Sequence, residues 1–136
     1  MSMIIISGLS GSGKSVALHA LEDLDFYCID NLPIGMLTSL ASEIHEQHLS
    51  RISNVATCID ARNRPGQLAR FPDILKELRA SGITCKILYL QADDATLLKR
   101  FSETRRKHPL SDQNTPLLDA ITKEREVLEP IAANAD

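Results

Sequence analysis

An eight-residue stretch near the start of the chain, from Gly8 to Ser15, constrains the fold more than any other part of the sequence. It fits the phosphate-binding pattern G-x-x-x-x-G-K-[ST] at every fixed position. The apolar run from Met3 to Ser7 precedes it and predicts a buried strand, and the residues after it have the apolar spacing of a helix. A strand, a glycine-rich loop and a helix in this order indicate an α/β domain with a parallel sheet.

The residue types in this stretch suit the binding of a phosphate group. Glycines let backbone N–H groups converge on an anion, and a helix start adds unpaired N–H groups and the positive end of the helix dipole. Lys14 supplies a mobile positive charge for the β- and γ-phosphates, and Ser15 offers a hydroxyl to Mg²⁺. We therefore expect a phosphate site with Lys14 as its catalytic cation, formed by Gly8, Leu9, Ser10, Gly11, Ser12, Gly13, Lys14 and Ser15.

Length and composition narrow the class of protein. The chain has 136 residues, a net charge of −3 and three cysteines without a C-x-x-C pair. These values favour one globular domain over residues 1–136 in a reducing compartment, and they argue against a disulfide framework or a zinc site. No apolar run approaches the length of a membrane span, and the first strand leaves no room for a signal peptide. We expect a cytoplasmic protein.

Strands and helices alternate along the rest of the chain. This order predicts a three-layer P-loop NTPase fold of the kinase-like type, with helices on both faces of a parallel sheet. In the first helix the spacing predicts a buried stripe of Ala17, Ala20, Leu21 and Leu24. Each cysteine lies in a predicted strand, where small thiols commonly fill the core.

Two carboxylates end predicted strands at the edge where ligands bind in open α/β sheets. Asp60 follows the apolar third strand, as the Mg²⁺-associated aspartate of P-loop proteins does, and a third strand beside the first favours it for that role. Asp30 follows the second strand and competes for the same role. Two other roles are open for Asp30: it positions water or substrate, or it forms an Asx turn before Pro33.

A basic cluster between Lys99 and His108 contains five Lys and Arg residues in an otherwise acidic chain. In a small kinase, arginines at this point neutralise charge on the transferred phosphoryl group, and Arg100 and Arg105 are the candidates. A solvated helix end explains the cluster equally well. A nucleic-acid patch is the third interpretation, although no aromatic platform accompanies the charge.

Together these segments resemble the RapZ/YvcJ family over nearly the whole chain. The similarity rests on Gly8 to Leu18, on Phe26 to Pro33, on Asp60 to Asn63 and on Thr104 to Leu110. The resemblance implies a nucleotide-binding protein with ATPase and GTPase activity. It also implies ATP binding by Gly8 to Ser15, and GTP binding by Asp60, Ala61, Arg62 and Asn63.

The same resemblance implies an RNase adapter that tunes amino-sugar synthesis, with small RNA and RNase E bound through a C-terminal domain. The sequence departs from the family in having Asp25 where Gly is expected after the first helix. It also ends at Asp136, before a further strand and a second domain. We therefore expect an N-terminal part of a longer protein, with an open sheet edge at the fourth strand that favours self-pairing into a homo-oligomer.

Three functions remain open on the sequence. The first is a regulatory domain that binds ATP or GTP with Mg²⁺ and hydrolyses it slowly. The second is a small-molecule kinase of the gluconate or adenylate kinase type, with an acceptor pocket near Asp30. The third is a nucleotide-sensing module without turnover.

Overall fold

The computed structural model describes residues 2–9, 13–46, 54–60, 65–91, 95–97, 99, 110 and 117–135. The strands are β1 (Ser2–Gly8), β2 (Tyr27–Ile29), β3 (Asn54–Cys58) and β4 (Thr84–Leu90). The helices are α1 (Lys14–Asp23), α2 (Leu37–Glu46), α3 (Pro65–Leu68), α4 (Phe71–Ala80), α5 (Leu117–Val127) and α6 (Glu129–Ala132), with a 3₁₀ turn at Ile34–Met36 before α2. Residues 95–97 are helical as well.

The four strands form one parallel sheet in the order β2-β3-β1-β4. Ile6 of β1 lies opposite Cys58 of β3 and Leu88 of β4, so the three carboxyl ends reach the same edge. This arrangement confirms the predicted α/β fold and the placement of the third strand beside the first. It brings the chain segments that follow β1, β2 and β3 to one edge of the sheet.

Both faces of the sheet carry helices. One face packs against the 3₁₀ turn, α2, α4 and α6 in the larger core cluster, which includes Met3, Ile5, Ile87, Leu37 and Phe71. The other face packs against α1, whose Leu18 meets Ile6, Ala56 and Cys58. A parallel sheet buried in this way explains the nearly continuous apolar sequence of β1.

The predicted buried stripe of α1 is wrong at two of its four positions. Ala17 and Leu21 pack against the sheet as expected, but Leu18 is the buried residue and Ala20 is exposed. Leu24 is 68% exposed, because the helix ends at Asp23 and the helical spacing no longer applies to the residue beyond it. The sheet-facing stripe follows the i, i+3, i+4 spacing from Lys14, through Ala17 and Leu18 to Leu21.

Asp25 ends α1 in a left-handed conformation, at the position where the family resemblance led us to expect Gly. Its φ is +67°, its N–H donates to the carbonyl of Glu22 at 3.0 Å, and the N–H of Phe26 donates to the carbonyl of Leu21 at 3.1 Å. These two bonds are the Schellman pattern of a helix C-terminus. Asp occupies the position at modest cost because its short polar side chain tolerates a positive φ.

β4 is an edge strand among the residues that the structure describes, since β1 is its only strand partner there. Its side chains alternate, with Cys85 and Ile87 buried and with Thr84, Lys86 and Leu88 exposed. This open edge agrees with the four-stranded sheet expected from the sequence.

The carboxyl end of β4 also holds the start of the phosphate loop. The N–H of Leu9 donates to the carbonyl of Leu90 at 3.3 Å. Gly8 has a φ of +143°, and a Cβ at this position would overlap the Leu90 carbonyl oxygen and lie 2.9 Å from the Leu90 nitrogen. Both the backbone conformation and the close approach therefore require glycine.

Replacement of Gly8 by alanine should lower the free energy of unfolding by about 3 kcal/mol, because steric overlap and a strained φ add together. Urea denaturation of the purified chain measures the change. Gly66→Ala is the matched control, since a Cβ at Gly66 meets nothing within 4 Å, and its effect should stay within about 0.5 kcal/mol. Equal stability of the two variants would contradict the close approach of β1 and β4.

Candidate phosphate-binding site

The first turn of α1 lies at the carboxyl edge of the sheet, where the first N–H groups of a helix have no carbonyl partner within the helix itself. Gly13 precedes the helix with a φ of +102°, and its carbonyl accepts the Ala17 N–H at 3.1 Å. Among the described residues no side chain caps this end, and the first turn contains no acidic residue. The positive end of the helix dipole is therefore available to an anion supplied from outside the chain.

Lys14 lies across the start of the loop. Its Nζ donates to the carbonyl oxygens of Gly8 at 2.9 Å and Leu9 at 3.1 Å. These bonds hold the ammonium group at the end of β1, next to the helix start. A phosphate at this point would meet one full positive charge as well as the helix dipole.

Asp60 reaches the same edge of the sheet as Lys14 because of the bonds that join β1 and β3. The Ile59 N–H donates to the Ile6 carbonyl at 2.9 Å, and the Ser7 hydroxyl donates to the Ile59 carbonyl at 2.6 Å. These bonds extend the β1–β3 pairing by one residue, so that Asp60 follows directly at the level of the loop. Asp60 is 5% exposed, which makes it a fixed carboxylate at the edge of the site.

Asp30 reaches the same edge from β2. It is exposed, and Asn31 after it has a φ of +58°. The N–H of Leu32 then donates to the Cys58 carbonyl at 3.2 Å and fixes the turn against β3.

The thiol of Cys58 is near the lysine and the two candidate carboxylates. Its Sγ lies 4.0 Å from the carbonyl oxygen of Lys14, to which it donates. Burial, with a smaller contribution from the charges of Asp30 and Asp60, raises the pKa of Cys58 to about 11, and the Lys14 ammonium opposes this rise. One buried atom therefore lies within electrostatic range of the lysine and of both candidate carboxylates.

The side-chain oxygens that we expect to bind Mg²⁺ are of the types that this ion prefers. Ser15 is exposed in the first turn of α1, and Asp60 is next to the loop. Within the described ranges no group of three or more His, Cys, Asp and Glu residues could hold a metal by itself. A hydroxyl and a carboxylate suit a magnesium ion whose other ligands are phosphate oxygens and water.

Several predicted site residues lie outside the described residues. They are Ser10, Gly11 and Ser12 of the loop, Ala61, Arg62 and Asn63 after Asp60, and the two cluster arginines Arg100 and Arg105. The structure thus brings together Gly8, Leu9, Gly13, Lys14, Ser15 and Asp60 from the predicted set.

Three supporting contacts were not predicted from the sequence. Two of them are the hydrogen bond from the Ser7 hydroxyl to Ile59 and the close approach of the Leu90 carbonyl to Gly8. Both depend on which strands are neighbours in the sheet, and no local sequence pattern reveals the strand order. Leu9 is fully buried in a small cluster with Leu97 and Ile121. Its apolar character in an otherwise Gly- and Ser-rich loop was the available signal.

The fold and this site define an α/β protein of the P-loop, kinase-like class. The chain belongs to the RapZ-like family, because the model of the RapZ-like N-terminal domain matches residues 1–136. This result confirms the family resemblance drawn from the sequence.

Curated relatives agree with the assignment. A protein of Hahella chejuensis is 54% identical over the full chain, and one of Ectopseudomonas mendocina is 56% identical; both are called nucleotide-binding proteins. The chain spans about half the length of these relatives, 48% in each case.

A solved structure shares the fold. The YorR protein of Bacillus subtilis, in complex with phosphorylated GDP, superposes with a TM-score of 0.56 at 19% sequence identity. The match covers 98% of this chain and 80% of that one. Separately, among the helices that the structure describes, none has the length and apolar character needed to cross a bilayer.

The raised pKa of Cys58 predicts a pH dependence of stability. The folded protein keeps the thiol protonated above its ordinary pKa of 9.0, up to about 11. The resulting stabilisation is present below pH 9 and is lost as the pH rises from 9 to 11, where the unfolded chain alone has ionised.

When the pH is raised from about 9 to about 11 in a buffer with EDTA, the free energy of unfolding should fall in both proteins. It should fall by about 2 kcal/mol more in the wild type than in Cys58→Ala. Urea denaturation at each pH measures both proteins. Ionisation of Tyr89, whose pKa burial also raises, affects both equally. If the difference in free energy of unfolding between the two proteins stays the same from pH 9 to pH 11, the pKa of the Cys58 thiol is not raised in the folded protein.

Proposed function

We propose that this chain is a regulatory nucleotide-binding domain that binds ATP or GTP with Mg²⁺ and hydrolyses it slowly. The observation that carries the proposal is the position of Lys14. Its ammonium group lies 2.9 Å from the Gly8 carbonyl oxygen, at the start of a helix that begins within the complete phosphate-binding pattern. The names of the relatives, which are nucleotide-binding proteins, support it.

The proposal gives each residue a role. The loop amides from Gly8 to Ser15 bind the phosphates, and Lys14 moves from its own loop carbonyls to the β- and γ-phosphates. Ser15 and Asp60 hold Mg²⁺, which when bound neutralises charge on the phosphates. Arg105 or Arg100 completes the charge compensation around the transferred group.

Base preference and turnover rate follow from the surrounding residues. Asp60, Ala61, Arg62 and Asn63 contribute to GTP binding in this proposal, an assignment supported by the family resemblance. Slow turnover is expected because the described residues at this edge offer no strong general base: Asp60 is assigned to the metal, and Asp30 is exposed to water. A domain of this type acts through its nucleotide state rather than through a high rate of reaction.

For the whole protein we propose the role of an RNase adapter in the cytoplasm that modulates small-RNA processing and amino-sugar synthesis. Small RNA and RNase E would bind through the second half that the longer relatives carry. The three cysteines, none of which forms a disulfide, support a reducing compartment.

A small-molecule kinase is the second candidate, and the exposed Asp30 at the Lys14 edge favours it. A carboxylate there would accept the proton of an acceptor hydroxyl placed next to the γ-phosphate. Release of inorganic phosphate without any acceptor would support the hydrolase. Turnover that requires an added hydroxyl metabolite would support the kinase, and binding without turnover would support a nucleotide sensor.

Lys14→Ala should weaken nucleotide binding by at least about 100-fold, because the phosphates lose their only full charge within the loop. Isothermal titration calorimetry with ATP and with GTP, each with Mg²⁺, measures the change. The matched control is Lys76→Ala, at an exposed lysine of α4, which should bind as the wild type does. Equal affinity of the wild type and Lys14→Ala would overturn the proposed site.

A further inference from the structure

The central strand β1 stays paired with its two neighbours over different lengths. Its pairing with β4 continues as far as Gly8, which lies opposite Leu90. Its regular pairing with β3 ends two residues earlier, where Ile6 lies opposite Cys58. The backbone of Gly8 turns toward β4 with a φ of +143°. β1 therefore separates from β3 just before the phosphate loop begins.

The Ser7 hydroxyl takes the place of a backbone bond at this separation. In a regular parallel pair, the N–H of Ile59 would donate to the Ile6 carbonyl, and the Ile59 carbonyl would accept the N–H of Gly8. The first of these bonds is present at 2.9 Å. In place of the second, the Ile59 carbonyl accepts the Ser7 hydroxyl at 2.6 Å, and Ser7 is fully buried. A side chain thus joins β1 to β3 while the backbone turns toward β4.

Asp60 comes directly after the carbonyl that Ser7 holds. The side chain of Ile59 belongs to the larger core cluster, so the alternation of side chains along an extended chain turns Asp60 to the opposite face, on which α1 packs. Asp60 is buried there. The bond from Ser7 to the Ile59 carbonyl therefore fixes the chain at the residue before the candidate metal ligand.

Ser7 also directly precedes the first residue of the phosphate loop. The carbonyl of Gly8 accepts the Nζ of Lys14 at 2.9 Å. The Ser7 hydroxyl thus joins the segment that holds the loop lysine to the segment that carries Asp60. A shift of one segment against the other would change the distance between the phosphates and a carboxylate that binds Mg²⁺, and metal sites depend on such supporting bonds behind the ligands.

We propose that Ser7 is a positioning residue whose hydroxyl holds Asp60 in register with the phosphate loop, and so couples the binding of Mg²⁺ to the binding of the phosphates. This inference rests on the proposed function, which brings Mg²⁺ and a nucleotide to this edge of the sheet. Ser7 is fully buried and acts through Asp60. Without the hydroxyl, the buried Ile59 carbonyl loses its partner, and the chain at Asp60 can move.

Thr57 provides a matched control in the same part of the sheet. It is fully buried, as Ser7 is, and it lies on β3 three residues before Asp60. Its hydroxyl oxygen has no hydrogen-bond partner among the residues that the structure describes. Thr57→Val removes this hydroxyl at nearly constant shape, whereas Ser7→Ala removes a hydroxyl that forms a bond. The two variants therefore separate the loss of the bond from the loss of a buried hydroxyl.

Isothermal titration calorimetry with the β,γ-imido analogues of ATP and GTP, each in Mg²⁺ and in EDTA, tests the coupling. In Ser7→Ala the affinity in Mg²⁺ should fall by about fivefold, because the metal ligand is no longer held in place. The affinity in EDTA should stay within about twofold of the wild type, since Lys14 and the loop amides are unchanged. Thr57→Val should bind as the wild type does in both buffers. An equal loss for Ser7→Ala with and without Mg²⁺ would overturn the proposal.

The same titrations in an Asp60→Asn background distinguish positioning from a general weakening of the fold. If Ser7 acts through the Asp60 carboxylate, Ser7→Ala should change the affinity in Mg²⁺ by less than about twofold when it is added to Asp60→Asn, because the two substitutions remove the same effect. A full fivefold loss on top of Asp60→Asn would show that Ser7 acts by another route, and it would overturn the proposal.

Amide hydrogen exchange without nucleotide, followed by NMR, separates a failure of this inference from a failure of the proposed function. Relative to the amide of Ile5 in the middle of β1, the Ile59 amide should exchange about tenfold faster in Ser7→Ala than in the wild type, and at the wild-type rate in Thr57→Val. An unchanged rate at Ile59 in Ser7→Ala would overturn the role of Ser7 whether or not a nucleotide binds. A wild type that binds neither analogue would overturn the proposed function, and with it the coupling to Mg²⁺, even if the exchange rates agree.

Discussion

The close approach of two backbones at Gly8 is the constraint on which the site depends. β1 must pass next to the Leu90 carbonyl in order to turn into the loop, and only a residue without a Cβ can do so at a φ of +143°. The Leu9 N–H then bonds to the same carbonyl, and the Leu9 side chain is buried. From this anchored start, the chain reaches α1 with Lys14 at the sheet edge. The geometry of the candidate phosphate site is thus a consequence of how β1 and β4 pack.

The carboxylate side of the site depends on a second backbone junction. Hydrogen bonds from Ser7 and Ile59 continue the β1–β3 pairing past the end of the strand. They hold Asp60 at the edge of the sheet where β1 leads into the loop. Burial is the main cause of the raised pKa of Cys58, and the charges of Asp30 and Asp60 add to it against the opposing charge of Lys14.

Much of this could be predicted from the sequence because the signals are local. The loop pattern placed the β1–α1 junction, Asp60 followed its strand, and Asp25 took the left-handed φ of a helix end. The buried stripe of α1 was partly missed because α1 has apolar residues on two sides, and composition alone does not say which side meets the sheet. The Leu90 contact and the role of Ser7 depend on strand order, which arises only from the assembled fold.

The most direct test of the account is a titration of the ¹⁵N-labelled chain with Mg²⁺ and ATP or GTP, followed by amide chemical shifts in NMR spectra. The account predicts the largest shifts at the amides from Gly8 to Ser15 and at Asp60, with little change at Ser2 and Thr84 at the far end of the strands. Saturable shifts that cluster elsewhere, while the loop amides stay in place, would contradict the assignment of the nucleotide site to this edge of the sheet.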